Sequence, residues 1–280
     1  MRVSTIISTY DWSRFGVFKR ALRSVERQTY DDVEIVLAID NDPDIVEVVR
    51  ELASEDVVVD FDPDGTGLAE ARNRGAAAAS GDVYAFLDDD CVASPRWVES
   101  LVEGYEDGAI AVGGPSIPDW PNSRPWYLPE EFDWLVGGGP YPPDGVTELR
   151  NTYGSNISFR ADVFDHLGGF DESLGKNDDL TQSEETELCN RMAAEYGRGV
   201  RFQRDAVVSH RVFPEQLRPG HLIRRAYAQG RSKRLVGAGD EERAFLADVL
   251  KSTVAHPSPE SVASLTYTAA TGAGYLLGDS

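Results

Sequence analysis

Four apolar, strand-forming runs recur through the first part of the chain, with helical periodicity between them, and this alternation restricts the fold more than any other feature. The runs are residues 3–9 (VSTIIST), 33–39 (VEIVLAI), 57–61 (VVVDF) and the VYAFL stretch that starts at Val83. The spacing predicts a helix over 14–28, with Phe15, Phe18, Leu22 and Val25 on one face. Asp42 and Pro43 supply an N-cap and a first-turn proline for a second helix carrying Ile45, Val48, Val49 and Leu52, and residues 65–80 form an alanine-rich third. A parallel sheet with helices on both faces follows. In such sheets ligands bind beyond the carboxyl ends of the strands, where this sequence places Thr9, Tyr10, Asp11, Asp40 and the triplet Asp88, Asp89 and Asp90.

The triplet is the most informative of these. It puts three carboxylates where a buried strand meets solvent, which suits a hard divalent cation and the diphosphate oxygens such an ion keeps in its shell. An acidic chain offers a plainer reading of the same residues, a solvated loop. The chain carries 48 acidic residues against 27 basic, for a net charge of −21, with lysine only at Lys19, Lys176, Lys233 and Lys251. Such a surface repels nucleic acid and fits a salt-rich cytoplasm, where counter-ions screen the self-repulsion. Two cysteines, Cys91 and Cys189, exclude a disulfide framework and point to a reducing compartment, and the apolar strand pattern from Val3 leads us to expect no signal peptide.

Further along, Ser94 and Pro95 cap a helix with Trp97, Val98 and Leu101 inward, and residues 109–113 read as a fifth strand. Residues 115–143 hold more than half of the fifteen prolines together with Trp120, Trp126, Trp134 and the run Gly137, Gly138 and Gly139. So long a proline-rich stretch is a lid or binding loop, or an excursion that its aromatics pin onto a core. A strand is expected over 152–160, a short helix over 161–167 ending in Gly168 and Gly169, and a helix from Ser183 to about Tyr196 with Glu184 and Glu185 in its first turn. One strand is expected near 200–208. Residues 198–234 then reverse the charge, with nine arginines and Lys233 against Asp205 and Glu215, a pattern that suits phosphate or an anionic membrane. Residues 261–278 carry no charge but are only mildly apolar, which favours a surface-lying or docking helix over a membrane span.

Six short motifs in register resemble the family-2 inverting glycosyltransferases. They are Thr9-Tyr10-Asp11; Asp40; Leu68-Ala69-Glu70-Ala71-Arg72-Asn73-Arg74-Gly75; Asp88-Asp89-Asp90; Gly168-Gly169-Phe170-Asp171-Glu172; and Glu184-Glu185. The resemblance spans roughly residues 3–235. It implies an α/β, Rossmann-like, mainly parallel mixed sheet with helices on both faces (the A-type glycosyltransferase fold) plus a C-terminal helical extension. Residues 1–115 would form the nucleotide-sugar-binding half, 116–218 the acceptor-binding and catalytic-base half of the same domain, and 219–280 the extension, a candidate for membrane association.

The same resemblance implies roles. Thr9, Tyr10, Asp11, Asp40, Arg72, Asp88 and Asp89 would bind the nucleotide, with Asp40 accepting a hydrogen bond from the base. Asp90, with Asp88 and His210, would hold Mg²⁺ or Mn²⁺. Glu185 would take the proton of the acceptor hydroxyl; it stands where the family usually has aspartate, which leaves Glu184 and Glu187 open as alternatives. Asn156, Trp134, Arg224, Arg225 and Arg231 are the candidates for acceptor or phosphate binding. The implied partners are a nucleoside-diphosphate sugar and a lipid-linked or polyprenyl-phosphate acceptor, met by an enzyme peripheral on the cytoplasmic face of the membrane. Two other classes remain in view. A nucleotidyltransferase would carry a glycine-rich basic loop after the first strand, which TYDWSRFG does not supply. A non-catalytic module would have lost the acids, which are present.

Overall fold

The computed structural model describes residues 1–52, 57–65, 67–139, 141–174, 183–237, 247–251, 253 and 258–277. The predicted alternation is realised as β1 (Val3–Thr9), α1 (Phe15–Glu26), β2 (Val33–Asp40), α2 (Pro43–Leu52), β3 (Val58–Asp62), α3 (Leu68–Ala78) and β4 (Val83–Asp88). These four strands pair in parallel, with Val3 beside both Val33 and Val83, and Val36 beside Val58. Strand side chains alternate between the two faces, and both faces are covered, so each strand reads as a continuous apolar run. In β4, Val83, Ala85 and Leu87 join the core under α1, α2 and α4 (Trp97–Glu106), whereas Tyr84 and Phe86 join the core under α3, α5 (Ala161–Leu167) and α6 (Glu184–Tyr196). Aromatic edge-to-face contacts from Phe86 to Phe159 and Phe170 tie that second layer together.

Beyond β4 the sheet is mixed. Its remaining strands are β6 (Ala111–Gly113), β8 (Glu148–Leu149), β9 (Ile157–Arg160) and β10 (Val200–Phe202), and the order across the sheet is β3-β2-β1-β4-β9-β6-β10-β8. β9 inserts antiparallel between β4 and β6. A small separate sheet contains β5 (Cys91–Ala93), which pairs antiparallel with β11 (Val208–Arg211) so that Cys91 faces His210. The single strand expected over 200–208 is therefore two strands. The chain turns at Gln203–Ala206, where the Ala206 amide donates to the Gln203 carbonyl at 3.1 Å, and leaves one sheet for the other. β1 lies between β2 and β4, so the strand order reverses there, and the crevice for a ligand opens at the carboxyl ends of β1 and β4.

By its internal contacts the chain divides into two units. Among the described residues the first holds 1–117, 141–174 and 184–210, and the second 118–139, 183, 211–237, 247–251, 253 and 258–277. β7 (Ser116–Asp119) carries the chain from one to the other. The second unit is built on α7 (Pro219–Val236) and α8 (Pro259–Leu277). Their backbones approach so closely that a Cβ at Gly230 would fall 2.0 Å from the Thr271 carbonyl oxygen, and one at Gly274 would fall 1.9 Å from that of Tyr227. Only glycine fits such a crossing. The proline-rich stretch contributes a 3-10 turn, Glu130–Val136, whose Phe132, Leu135 and Val136 pack with Leu222, Ala226 and Tyr267. Part of that stretch is thus core, anchored by the double Arg124–Asp133 ion pair at 2.5 and 2.7 Å and by Arg124 stacked 5.1 Å from the Trp120 ring.

Candidate active site

The end of β4 organises the first unit. Asp88 closes the strand beside Ser8 of β1, a tight turn carries Asp89 and Asp90, and β5 begins at Cys91. The three carboxylates diverge. Asp89 turns inward: it is buried, accepts the Thr9 hydroxyl at 2.8 Å and pairs with Arg14 at 3.1 Å. Burial pushes its carboxyl up to about 7, against the pull of Arg14. Thr9 and Asp89, both expected from the sequence at the nucleotide, are buried and hydrogen-bonded to each other in this structure.

Asp90 is held between His210 and Arg14. His210 Nε2 lies 3.1 Å from its Oδ1, and Arg14 contacts its Oδ2 closely. Burial opposes ionisation here too, but His210 and Arg14 outweigh it and hold the carboxyl below its usual range. Donor atoms of Asp88, Asp90, Cys91 and His210 all lie within 4.8 Å of one another. Two carboxylate oxygens and an imidazole nitrogen suit Mn²⁺ or Mg²⁺. Burial raises the Cys91 thiol well above its usual value, so the sulfur adds no anionic ligand to that set.

Arg72 connects this edge to the far side of the site. It projects from α3, is fully buried, and donates to Asp88 Oδ1 at 2.5 Å and to Glu184 Oε1 at 2.6 Å. The Phe170 ring lies 5.7 Å from its guanidinium carbon. Burial works against the charge of Arg72, yet Asp88 and Glu184 keep it protonated. Instead of reaching for a nucleotide, Arg72 fixes the acid helix against β4. Glu184 is thereby committed to Arg72, and Glu187 to Arg191 at 2.6 Å. Glu185 carries no arginine or lysine ion pair among the described residues. Burial, reinforced by the neighbouring Glu184 carboxylate, raises it to about 7.

The Gly-Gly-Phe-Asp-Glu segment supports α6 from below. Gly168 and Gly169 both take positive φ, 82° and 73°, to end α5. Asn73 grips Phe170 from both sides, accepting its amide and donating to its carbonyl, each at 2.9 Å. Arg191 of α6 donates to the carbonyl oxygens of Leu167 and Gly169. Residues 175–182, which include the polar loop ahead of the acid helix, lie outside the described residues.

The nucleobase candidates sit at neighbouring strand ends. Asp40, at the end of β2, is nearly buried and paired with Arg74 at 2.6 Å, and the same guanidinium binds Asp60 at 2.8 Å and Asp62 at 3.3 Å. Burial raises the Asp40 carboxyl while Arg74 opposes it. Tyr10 is 52% exposed. Asp11 is spent on the turn after β1, accepting the amide and hydroxyl of Ser13 at 2.8 and 2.7 Å, and these bonds lower its carboxyl pKa.

Among the acceptor candidates, Asn156 lies in the core of the first unit. It is fully buried, its amide nitrogen donates to the carbonyls of Pro115 and Ala206, and its oxygen accepts the Trp97 indole. These bonds make it a joint between distant core segments. Trp134, Arg224, Arg225 and Arg231 belong to the second unit, with Trp134 packed against Phe132 and Arg224 exposed on α7. Sequence reasoning missed Arg14, Arg74, Asn73 and Arg191. Arg14 is the sole basic residue in TYDWSR, and Arg74 stands two places after Arg72, so both were visible without a partner to give them meaning.

Comparison with known proteins agrees with this geometry. The pattern of "Glycosyl transferase family 2" matches residues 4–168. A "Glucosyl-dolichyl phosphate glucuronosyltransferase" of Haloferax volcanii is 36% identical over 99% of this chain and 96% of its own length. A "Dolichol-phosphate mannosyltransferase" of Pyrococcus furiosus is 34% identical over 44% of this chain and 37% of its own. Among solved structures, a mannosyltransferase from Pyrobaculum calidifontis in complex with GDP-Man and Mn²⁺ superposes with a TM-score of 0.66, at 16% identity, over 100% of this chain and 88% of that one, and shares its fold. With the motifs, the sheet order and a full-length relative in agreement, the chain belongs to glycosyl transferase family 2 and is a glycosyltransferase.

Proposed function

We propose that this enzyme moves a sugar, with inversion, from a nucleoside-diphosphate sugar to a hydroxyl of a sugar carried on a polyprenyl phosphate. The observation that carries the reading is Arg72, which joins Asp88 on the donor side to Glu184 on the acid helix and so brings Glu185 to the same site as the β4 carboxylates. Asp90, Asp88 and His210 would hold the divalent cation, which when bound supplies positive charge to the departing diphosphate. Glu185 accepts the acceptor proton as the new bond from oxygen to the anomeric carbon forms and the bond to the diphosphate breaks, the bonding electrons leaving with the nucleotide. Glu184, paired with Arg72, lies beside Glu185 and raises its proton affinity, which improves it as a base. Asp40, steadied by Arg74, is the group offered to a base N–H.

Support for a lipid-borne acceptor comes from the names of the two archaeal relatives and from α8, which exposes Val262, Leu265, Leu276 and Leu277. No helix among the described residues is long and apolar enough to cross a membrane. We read α8 as a peripheral contact on the cytoplasmic face, and the net charge of −21 as a fit to a salt-rich interior. The test supplies Mn²⁺, a panel of nucleotide sugars, and glucosyl-dolichyl phosphate in liposomes at molar salt. Release of nucleoside diphosphate that depends on the lipid supports the proposal. Pyrophosphate release would indicate nucleotidyl transfer, and no release with any donor would indicate a binding module.

A further inference from the structure

The side chain least accounted for by this mechanism is Arg14. It ends the 3-10 turn Trp12–Arg14, which directly follows β1 and is pinned by Asp11, whose carbonyl accepts the Arg14 amide at 3.0 Å. With the backbone fixed in this way, the guanidinium is 23% exposed and spans two of the three β4 carboxylates, Asp89 Oδ1 at 3.1 Å and Asp90 Oδ2 in close contact. Two buried carboxylates side by side repel unless a cation lies between them. Arg14 is that cation, and it occupies one oxygen of the acid proposed to bind the metal, while His210 faces the other.

We infer that Arg14 is a built-in counter-cation that makes metal binding and nucleoside-diphosphate binding depend on each other. A divalent ion arriving alone at Asp90 meets a fixed positive charge that shares its ligand, so it binds weakly. A diphosphate arriving alone adds negative charge beside Asp88 and Asp90. When both bind, the diphosphate oxygens accept hydrogen bonds from the guanidinium as Asp90 turns to the ion, and planar, multi-donor arginine suits both partners. Such coupling is reciprocal: the factor by which the diphosphate tightens the ion is the factor by which the ion tightens the diphosphate.

The inference rests on the metal-dependent reading above, and its test measures binding and not turnover. Mn²⁺ is titrated into the full chain by calorimetry and by the electron spin resonance of free Mn²⁺, alone and with saturating UDP or GDP. In the wild type we expect the diphosphate that binds to tighten Mn²⁺ by at least about tenfold, roughly 1.4 kcal/mol. In Arg14→Gln, Mn²⁺ alone should bind about tenfold more tightly than in wild type and the coupling factor should fall by a similar amount. Arg14→Lys keeps the charge but cannot bridge both carboxylates, and should give intermediate coupling. Coupling unchanged in both variants overturns the role of Arg14 and leaves the metal reading standing. If Arg14→Gln does not fold, wild-type Mn²⁺ binding equally tight with and without diphosphate still overturns the inference. Absence of Mn²⁺ binding under every condition overturns both readings.

Discussion

Glu185→Gln is expected to lose about three orders of magnitude in turnover while binding donor as wild type does. The amide is nearly isosteric with the carboxylate but cannot accept a proton, and Glu185 makes none of the ion pairs that fix its neighbours, so the fold should be unaffected. The same substitution at Glu187 should cost far less, because Glu187 serves Arg191 and through it the Leu167 and Gly169 carbonyls. The pH profile gives a second check. The Glu185 carboxyl is raised to about 7, first by burial and then by Glu184, so it is protonated and inactive below that pH. Wild-type turnover should therefore climb as pH rises through about 7. The residual activity of Glu185→Gln should not show that limb. Steady-state kinetics and donor titration from pH 5.5 to 8.5, in about half-unit steps, read both effects.

The second large effect is expected at Arg72. Arg72→Met removes the cation paired with Glu184 among the described residues, where Glu184 is 2% exposed, and takes the same partner from Asp88. Breaking a buried pair from one side leaves an uncompensated charge, and a loss of about 3–5 kcal/mol follows. That is a large share of the roughly 5–15 kcal/mol that holds an ordinary domain together. The double variant Arg72→Met with Glu184→Gln should recover part of the loss, because the stranded charge is gone. Denaturant unfolding of the two single variants and the double closes the cycle. If the double variant is as unstable as the two losses added, the pair is not an energetic unit and Arg72 acts mainly through packing on Phe170.

Local pattern told much about the parallel half of the fold and little about the rest. β1, β2 and β4 are buried on both faces, and six to eight residues in a row, rich in apolar side chains, announce such strands without help from partners. β6, β8, β9 and β10 are two to four residues long and take meaning only from their neighbours in the sheet. The antiparallel insertion of β9 beside β4 has no local signal at all. The break at Gln203–Ala206 was hidden because Val200 to Val208 is apolar enough to pass for one strand.

The candidate site divides in the same way. Its acids were legible because motif spacing puts them at strand ends and at a helix start. Their partners were not, since Arg14 meets Asp90 across 76 positions and Arg72 meets Glu184 across 112. Which of three glutamates acts as base could only be argued once Arg72 and Arg191 had claimed two of them. The surroundings of Asn156 were hidden for the same reason, because its side-chain partners, Trp97, Pro115 and Ala206, come from distant segments.

The central claim, that the β4 acids and Glu185 serve one displacement, is tested most directly by diffraction from crystals of the chain grown with Mn²⁺ and the nucleoside diphosphate that binds, at wavelengths on both sides of the manganese absorption edge. The account predicts one manganese peak, shared by Asp90 and the diphosphate, with the Glu185 carboxylate across the same hollow. A peak held by other residues, or a Glu185 that opens onto a different surface from the diphosphate, would contradict it.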